Sequence, residues 1–147
     1  MIRNPLAVLG ILAITAVPVL AADTSTTVAA SRVENAPPGA PYEKVSLAIK
    51  GLPDFIPTMG MVYVDPKTLP GGPYLGYSRQ GKLIDTVYMI PVKDFDAHQK
   101  IAEMAAPASR VDHVGIYYNP GHAGMAEPHY HIVLWHVPKS QESLVEK

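Results

Sequence analysis

Hydrophobic and polar positions alternate in short runs along most of this chain, and proline- and glycine-rich breaks separate the runs. In Tyr42 to Ile49, alternation places Val45, Leu47 and Ile49 on one face, a strand pattern. Leu52 to Thr58 carries two prolines and reads as loop, and Met59 to Val64 predicts a short strand stopped by Asp65-Pro66. After the turn cluster Pro70-Gly71-Gly72-Pro73, Tyr74 to Ser78 and Leu83 to Val92 flank Arg79-Gln80-Gly81-Lys82 as a β-hairpin. The period changes once. Phe95, His98, Ile101, Ala102 and Ala105 recur at helical spacing, with Asp94 as N-cap, Asp96 in the first turn and Pro107 as the stop. A helix is therefore expected over 94–106. Val111 to Tyr118 and His129 to Val137 predict two final strands joined by the loop Asn119 to Pro128. Strands, one principal helix, then strands make an α+β fold with a mainly antiparallel sheet, curved or barrel-like.

The first residues follow a different pattern. Met1-Ile2-Arg3 gives a short positive start, Leu6 to Leu20 is almost wholly apolar, and Val19-Leu20-Ala21 or Leu20-Ala21-Ala22 supplies small residues for cleavage. Pro18 breaks the apolar stretch, which is short for a membrane span. A signal peptide over 1–22 is expected, with a periplasmic or secreted mature protein and no stable membrane anchor. Asp23 to Pro41 is rich in Thr, Ser, Ala and Pro and reads as a flexible lead-in. A single globular domain over 42–138 and a C-terminal tail over 139–147 complete the expected division.

Composition narrows the chemistry. Loss of residues 1–22 removes Arg3 and no acid, leaving 11 basic against 13 acidic residues, a balance that gives no reason to expect nucleic acid. The chain has no cysteine, which excludes disulfides, thiol catalysis and thiolate metal sites. There is no G-x-S-x-G elbow, P-loop or dinucleotide fingerprint, and no organic cofactor is expected.

Histidine carries what chemistry remains. Five of the six lie in the C-terminal third, two of them in Glu127-Pro128-His129-Tyr130-His131. On a strand, residues two apart share a face, so His129 and His131 project side by side about 7 Å apart along the chain. Pairing the last two strands around their loop sets Tyr118 roughly opposite His129 and His113 roughly opposite Leu134. His113 then sits about 15 Å from His129. The histidines divide accordingly. His122, His129 and His131 lie with Glu127 at the loop end, and His113 and His136 lie at the other end, where a structural role is favoured. His98, on the helix stripe, is likewise read as structural.

Neutral imidazoles suit Zn, Cu or Fe, and a third histidine or a carboxylate completes such a set. His129 and His131 are the core ligands of this reading, with His122 or Glu127 completing it. Pro120-Gly121-His122-Ala123-Gly124 has the glycines to bend toward the site. Met59, Met61 and Met125 are candidate soft ligands, although methionines more often fill cores. Tyr63, Tyr117, Tyr118 and Trp135 are candidate pocket walls.

Two resemblances bear on these residues. The H-x-H of His129 and His131 resembles the metal motif of cupin barrels, which also places a glutamate a few residues on, where this chain has Trp135 and His136. A second covers most of the chain. Met59-Gly60-Met61-Val62-Tyr63-Val64-Asp65-Pro66, Tyr88-Met89-Ile90-Pro91, Val111-Asp112-His113-Val114 and Gly121-His122 to Pro128-His129-Tyr130 follow in order. They resemble an uncharacterised family of exported bacterial proteins with P-H-Y-D-x-H near the C-terminus. His129 matches the first histidine, His131 replaces the aspartate and Val133 replaces the second histidine. The resemblance implies export and one domain, and it supplies no activity.

The expected function is an exported protein with a histidine-based site for a divalent transition metal. The alternative is a metal-free module that binds a small-molecule ligand or self-associates as a homo-oligomer.

Overall fold

The computed structural model describes residues 33–101 and 104–146. The expected signal segment and residues 23–32 of the lead-in lie outside them. Six strands form one antiparallel sheet: β1 (Glu43–Lys44), β2 (Met61–Val64), β3 (Tyr74–Tyr77), β4 (Leu83–Pro91), β5 (His113–Asn119) and β6 (His129–Trp135). Their spatial order is β1-β2-β3-β4-β6-β5. β1 and β5 are edges, so among the described residues the sheet is open and no barrel closes. The α+β class with a mainly antiparallel sheet is as expected.

Strands β3 and β4 explain the centre of the sheet. All four residues of β3 and the first eight of β4 are buried, because both faces of the sheet are covered here. One face gathers Val62, Val64, Tyr74, Val87, Met89, Val133 and Trp135, capped by Val45, Met125, Val137 and Val145. The other packs Tyr63, Leu75, Tyr77 and Leu83 against Val33. A register shift between Gly76 and Tyr77 follows the pairing of Gly76 with Asp85. A Cβ on Gly76 would run into the Asp85 carboxylate and the Met59 carbonyl, so only glycine fits. Asp85 is fully buried with neither oxygen hydrogen-bonded, and across the ladder Trp135 Nε1 is buried without a partner as well.

Several expectations are corrected. Val45–Ala48 is a helical turn, α1, rather than strand. Val45, Ala48 and Ile49 satisfy the i, i+3, i+4 pattern as well as Val45, Leu47 and Ile49 satisfy alternation, and the core takes the first set while Leu47 stays 75% exposed. The principal helix shrinks to α2 (Val92–Asp96), capped at Pro91 with Asp94 inside its first turn. It is over by His98, whose φ is +51°. Phe95, whose ring meets Tyr130 edge-on, and Ile101 both remain exposed, and residues 102–103 of the expected helix lie outside the described residues; a stripe with so little packing does not propagate a helix. The expected tail is partly a 3₁₀ helix, Lys139–Val145. Val145, 1% exposed, pins it to the core, which contributes about 1.5–3 kcal/mol for such a side chain. At the other end, Leu83 N donates to Glu34 O and Ala36 N to Gly81 O, so the end of the lead-in lies along the hairpin.

Candidate metal centre

β6 lies between two partners. His131 is opposite Met89 on β4 and Tyr117 on β5, and His129 is opposite Pro91 and Asn119. The β5 register is one residue from expectation: Tyr118 faces Tyr130, and His113 faces Trp135. Both imidazoles point to the face that carries Val133 and Trp135, since all four share parity.

The β5–β6 loop brings His122 to the same place. His122 and Met125 exchange backbone hydrogen bonds, 2.8 and 3.0 Å, around the two-residue turn Ala123-Gly124. Gly124 takes φ +90°, as the second central residue of a type II turn requires. Met125 is buried in the core and anchors the loop, and Gly121 N donates to Asn119 Oδ1 at 2.9 Å. The three Nε2 atoms then converge. They are 3.2 Å apart for His122 and His129, 3.2 Å for His122 and His131, and 3.0 Å for His129 and His131.

Second partners fix two of the tautomers. His129 Nδ1 lies 2.7 Å from Glu127 O, and His122 Nδ1 lies 2.8 Å from Ala123 O. A carbonyl only accepts, so each Nδ1 carries the proton, and in the neutral ring each Nε2 presents a lone pair. Two lone pairs thus face each other at 3.2 Å. A cation between them removes the conflict, and an imidazole whose other nitrogen donates to a carbonyl is the usual arrangement of a metal-ligating histidine. The spacing fits. Three nitrogens about 2.0–2.1 Å from a tetrahedral ion lie about 3.3 Å apart. Burial, then the neighbouring imidazoles of His129 and His122, push His131 down to about 4, so its ring is neutral at physiological pH. His122, His129 and His131 can hold a metal ion.

Glu127 is not part of this set. Its carboxylate pairs with Lys93 at 2.6 Å on the surface, and its backbone carbonyl orients His129. The His113 ring lies between the carboxylates of Asp112 and Glu142, 3.0 and 2.8 Å away, and stacks on Trp135. His136 Nδ1 donates to Arg110 O, and its Nε2 accepts from Thr86 Oγ1. Both lie outside the group formed by His122, His129 and His131. Met125 is core, and Met61 packs with Tyr63 on the opposite face, where Tyr63 meets Tyr77 edge-on. Tyr63 therefore lines no wall of the site.

Two cavities border the centre. One of about 210 Å³ is lined by His122 and His131 together with Val45, Ile49, Leu52, Ile56, Met59 and Met89, among others. Another, of about 400 Å³, reaches His131 from the side of Tyr117, Tyr118, Trp135, Glu142 and Glu146. Leu52 and Ile56 gave no signal in the sequence, because apolar residues scattered among prolines have no periodicity to read, and Ile49 read as strand rather than as the end of a helical turn. The orienting carbonyls were equally invisible, since backbone atoms leave no mark on residue identity.

No protein-family model and no curated protein matches the chain. A solved structure does: the crystal structure of hypothetical protein TTHB210 from Thermus thermophilus, with a TM-score of 0.59. The two sequences are 41% identical over 68% of this chain and 99% of that one. With nearly the whole of that protein matched at this identity, the chain belongs to the same family as TTHB210.

Proposed function

We propose that this is an exported small protein that binds one divalent transition metal ion through His122, His129 and His131. The observation that carries the reading is the contact between the Nε2 atoms of His122 and His129, whose Nδ1 protons are already committed to carbonyls. Three neutral nitrogens and no thiolate suit Zn, Cu or Fe. Among the described residues no fourth histidine or carboxylate joins the group, and three protein ligands are the number used by zinc sites that keep a position open. A bound ion would supply Lewis acidity at that position. The chain's own residues set the tautomers, hold two ligands on the sheet and exclude bulk water from His129, which is fully buried. Export is supported by the charged start, the apolar run and the small residues of Met1 to Ala22.

Elemental mass spectrometry of untagged protein, purified and then titrated with Zn, Cu and Fe salts, tests the reading. Near one metal per chain is expected, lost in the double variant His129→Ala/His131→Ala. Wild-type protein that neither carries nor takes up metal would leave the three rings as a metal-free cluster tying the loop to the sheet.

A further inference from the structure

The cavity beside the centre has a character that the ion would have to accommodate. Its wall is apolar over Val45, Ile49, Leu52, Ile56, Met59 and Met89, and among the described residues no Asp, Glu, Lys or Arg lines it. The three imidazoles are neutral ligands, so a divalent ion held by them keeps its full double charge next to an apolar space. An uncompensated buried charge is costly, and an anionic ligand is the remedy available. The larger neighbouring cavity carries Glu142 and Glu146 and repels an anion. The smaller one does not. Size sets a further limit: an apolar cavity of about 150 Å³ takes benzene, and this one is about 210 Å³. His122 and His131 form part of its wall while His129 is fully buried, so a group entering the cavity meets the ion from their side.

Resting on the metal reading above, we infer that the site takes an organic monoanion, a carboxylate on an unbranched or aromatic apolar body of about six to eight carbons. The carboxylate occupies the ion's open position and the apolar body fills the cavity between α1 and the β5–β6 loop. Ligand recognition then has two separable parts, charge at the ion and length along the cavity.

Untagged protein loaded with Co²⁺ separates them. Elemental mass spectrometry first counts cobalt per chain. Visible absorption then follows titration with straight-chain carboxylates from acetate to octanoate, and with octylamine and 1-octanol as controls of matched length. The apparent dissociation constant should fall about three- to fourfold per methylene up to hexanoate or beyond, with the two controls far weaker. Leu52→Trp, which adds bulk to the apolar wall of the cavity, should flatten the length dependence. Cobalt-loaded wild-type protein that binds acetate as tightly as octanoate overturns the inference and leaves metal binding standing. Octylamine or octanol binding as well as octanoate overturns the anionic part. Failure to take up cobalt removes the metal reading and this inference with it. The wild-type series decides the matter even if Leu52→Trp does not fold.

Discussion

Asp85 shows how one residue can set the response of the fold to pH. Burial pushes its carboxyl well above the ordinary range, and neither oxygen has a hydrogen-bond partner. The folded chain keeps a proton that the unfolded chain releases near pH 4. The native state therefore binds more protons than the unfolded one, and stability falls as pH rises from about 4 towards the raised folded value. Asp85→Asn keeps the shape beside Gly76 and has no carboxyl to hold protonated. Its advantage over the natural chain should widen with pH and reach about 1–3 kcal/mol at pH 8. Urea unfolding at pH 5 and pH 8 measures it, and an equal difference at both values would refute the assignment. The three clustered histidines show the same dependence on surroundings, since identical side chains acquire distinct settings from the carbonyls and burial around them.

At the scale of elements, the sequence exposed periodicity and hid context. The H-x-H pair was legible because a period of two is all that a strand needs to place two rings on one face. His122 was legible only as a neighbour with glycines around it. Its arrival depends on the two-residue turn and on Met125 being buried, neither of which a pattern encodes. The one-residue difference in the β5–β6 register came from the same loop, whose internal bridge could not be counted from outside. The α2 stripe was misread because helical spacing without a surface to cover does not hold a helix together. Gly124 carries a prediction of its own. Its φ is +90°, and a Cβ there would meet Ile49 Cδ1 at 2.9 Å. Gly124→Ala should destabilise the protein by about 1–2 kcal/mol from the left-handed backbone alone, visible in the urea midpoint. An unchanged midpoint would mean that the loop re-forms another way.

For the molecule as a whole, the centre joins parts that are distant along the chain. His122, His129 and His131 lie on one loop and one strand, while the cavity beside them is walled by α1 and the segment to Met59. A metal bound only by the folded state stabilises it by mass action, about 2.7 kcal/mol at a free concentration one hundred times the dissociation constant. Calorimetry of metal-loaded protein should show a higher Tm than the chelator-treated form. The increment should vanish in His129→Ala/His131→Ala. Equal Tm values with metal demonstrably bound would indicate that the unfolded chain binds as well.

β6 is hydrogen-bonded along both sides, to β4 and to β5, over the residues that carry His129 and His131. The backbone beneath those two rings cannot shift unless a ladder opens, whereas His122 rides on a turn held by two backbone hydrogen bonds. The three-histidine group thereby has a fixed jaw, His129 and His131, and a movable one, His122. Were an ion held there as proposed, lifting His122 would open its shell while the sheet stays shut, and exchange with a chelator would run ahead of unfolding.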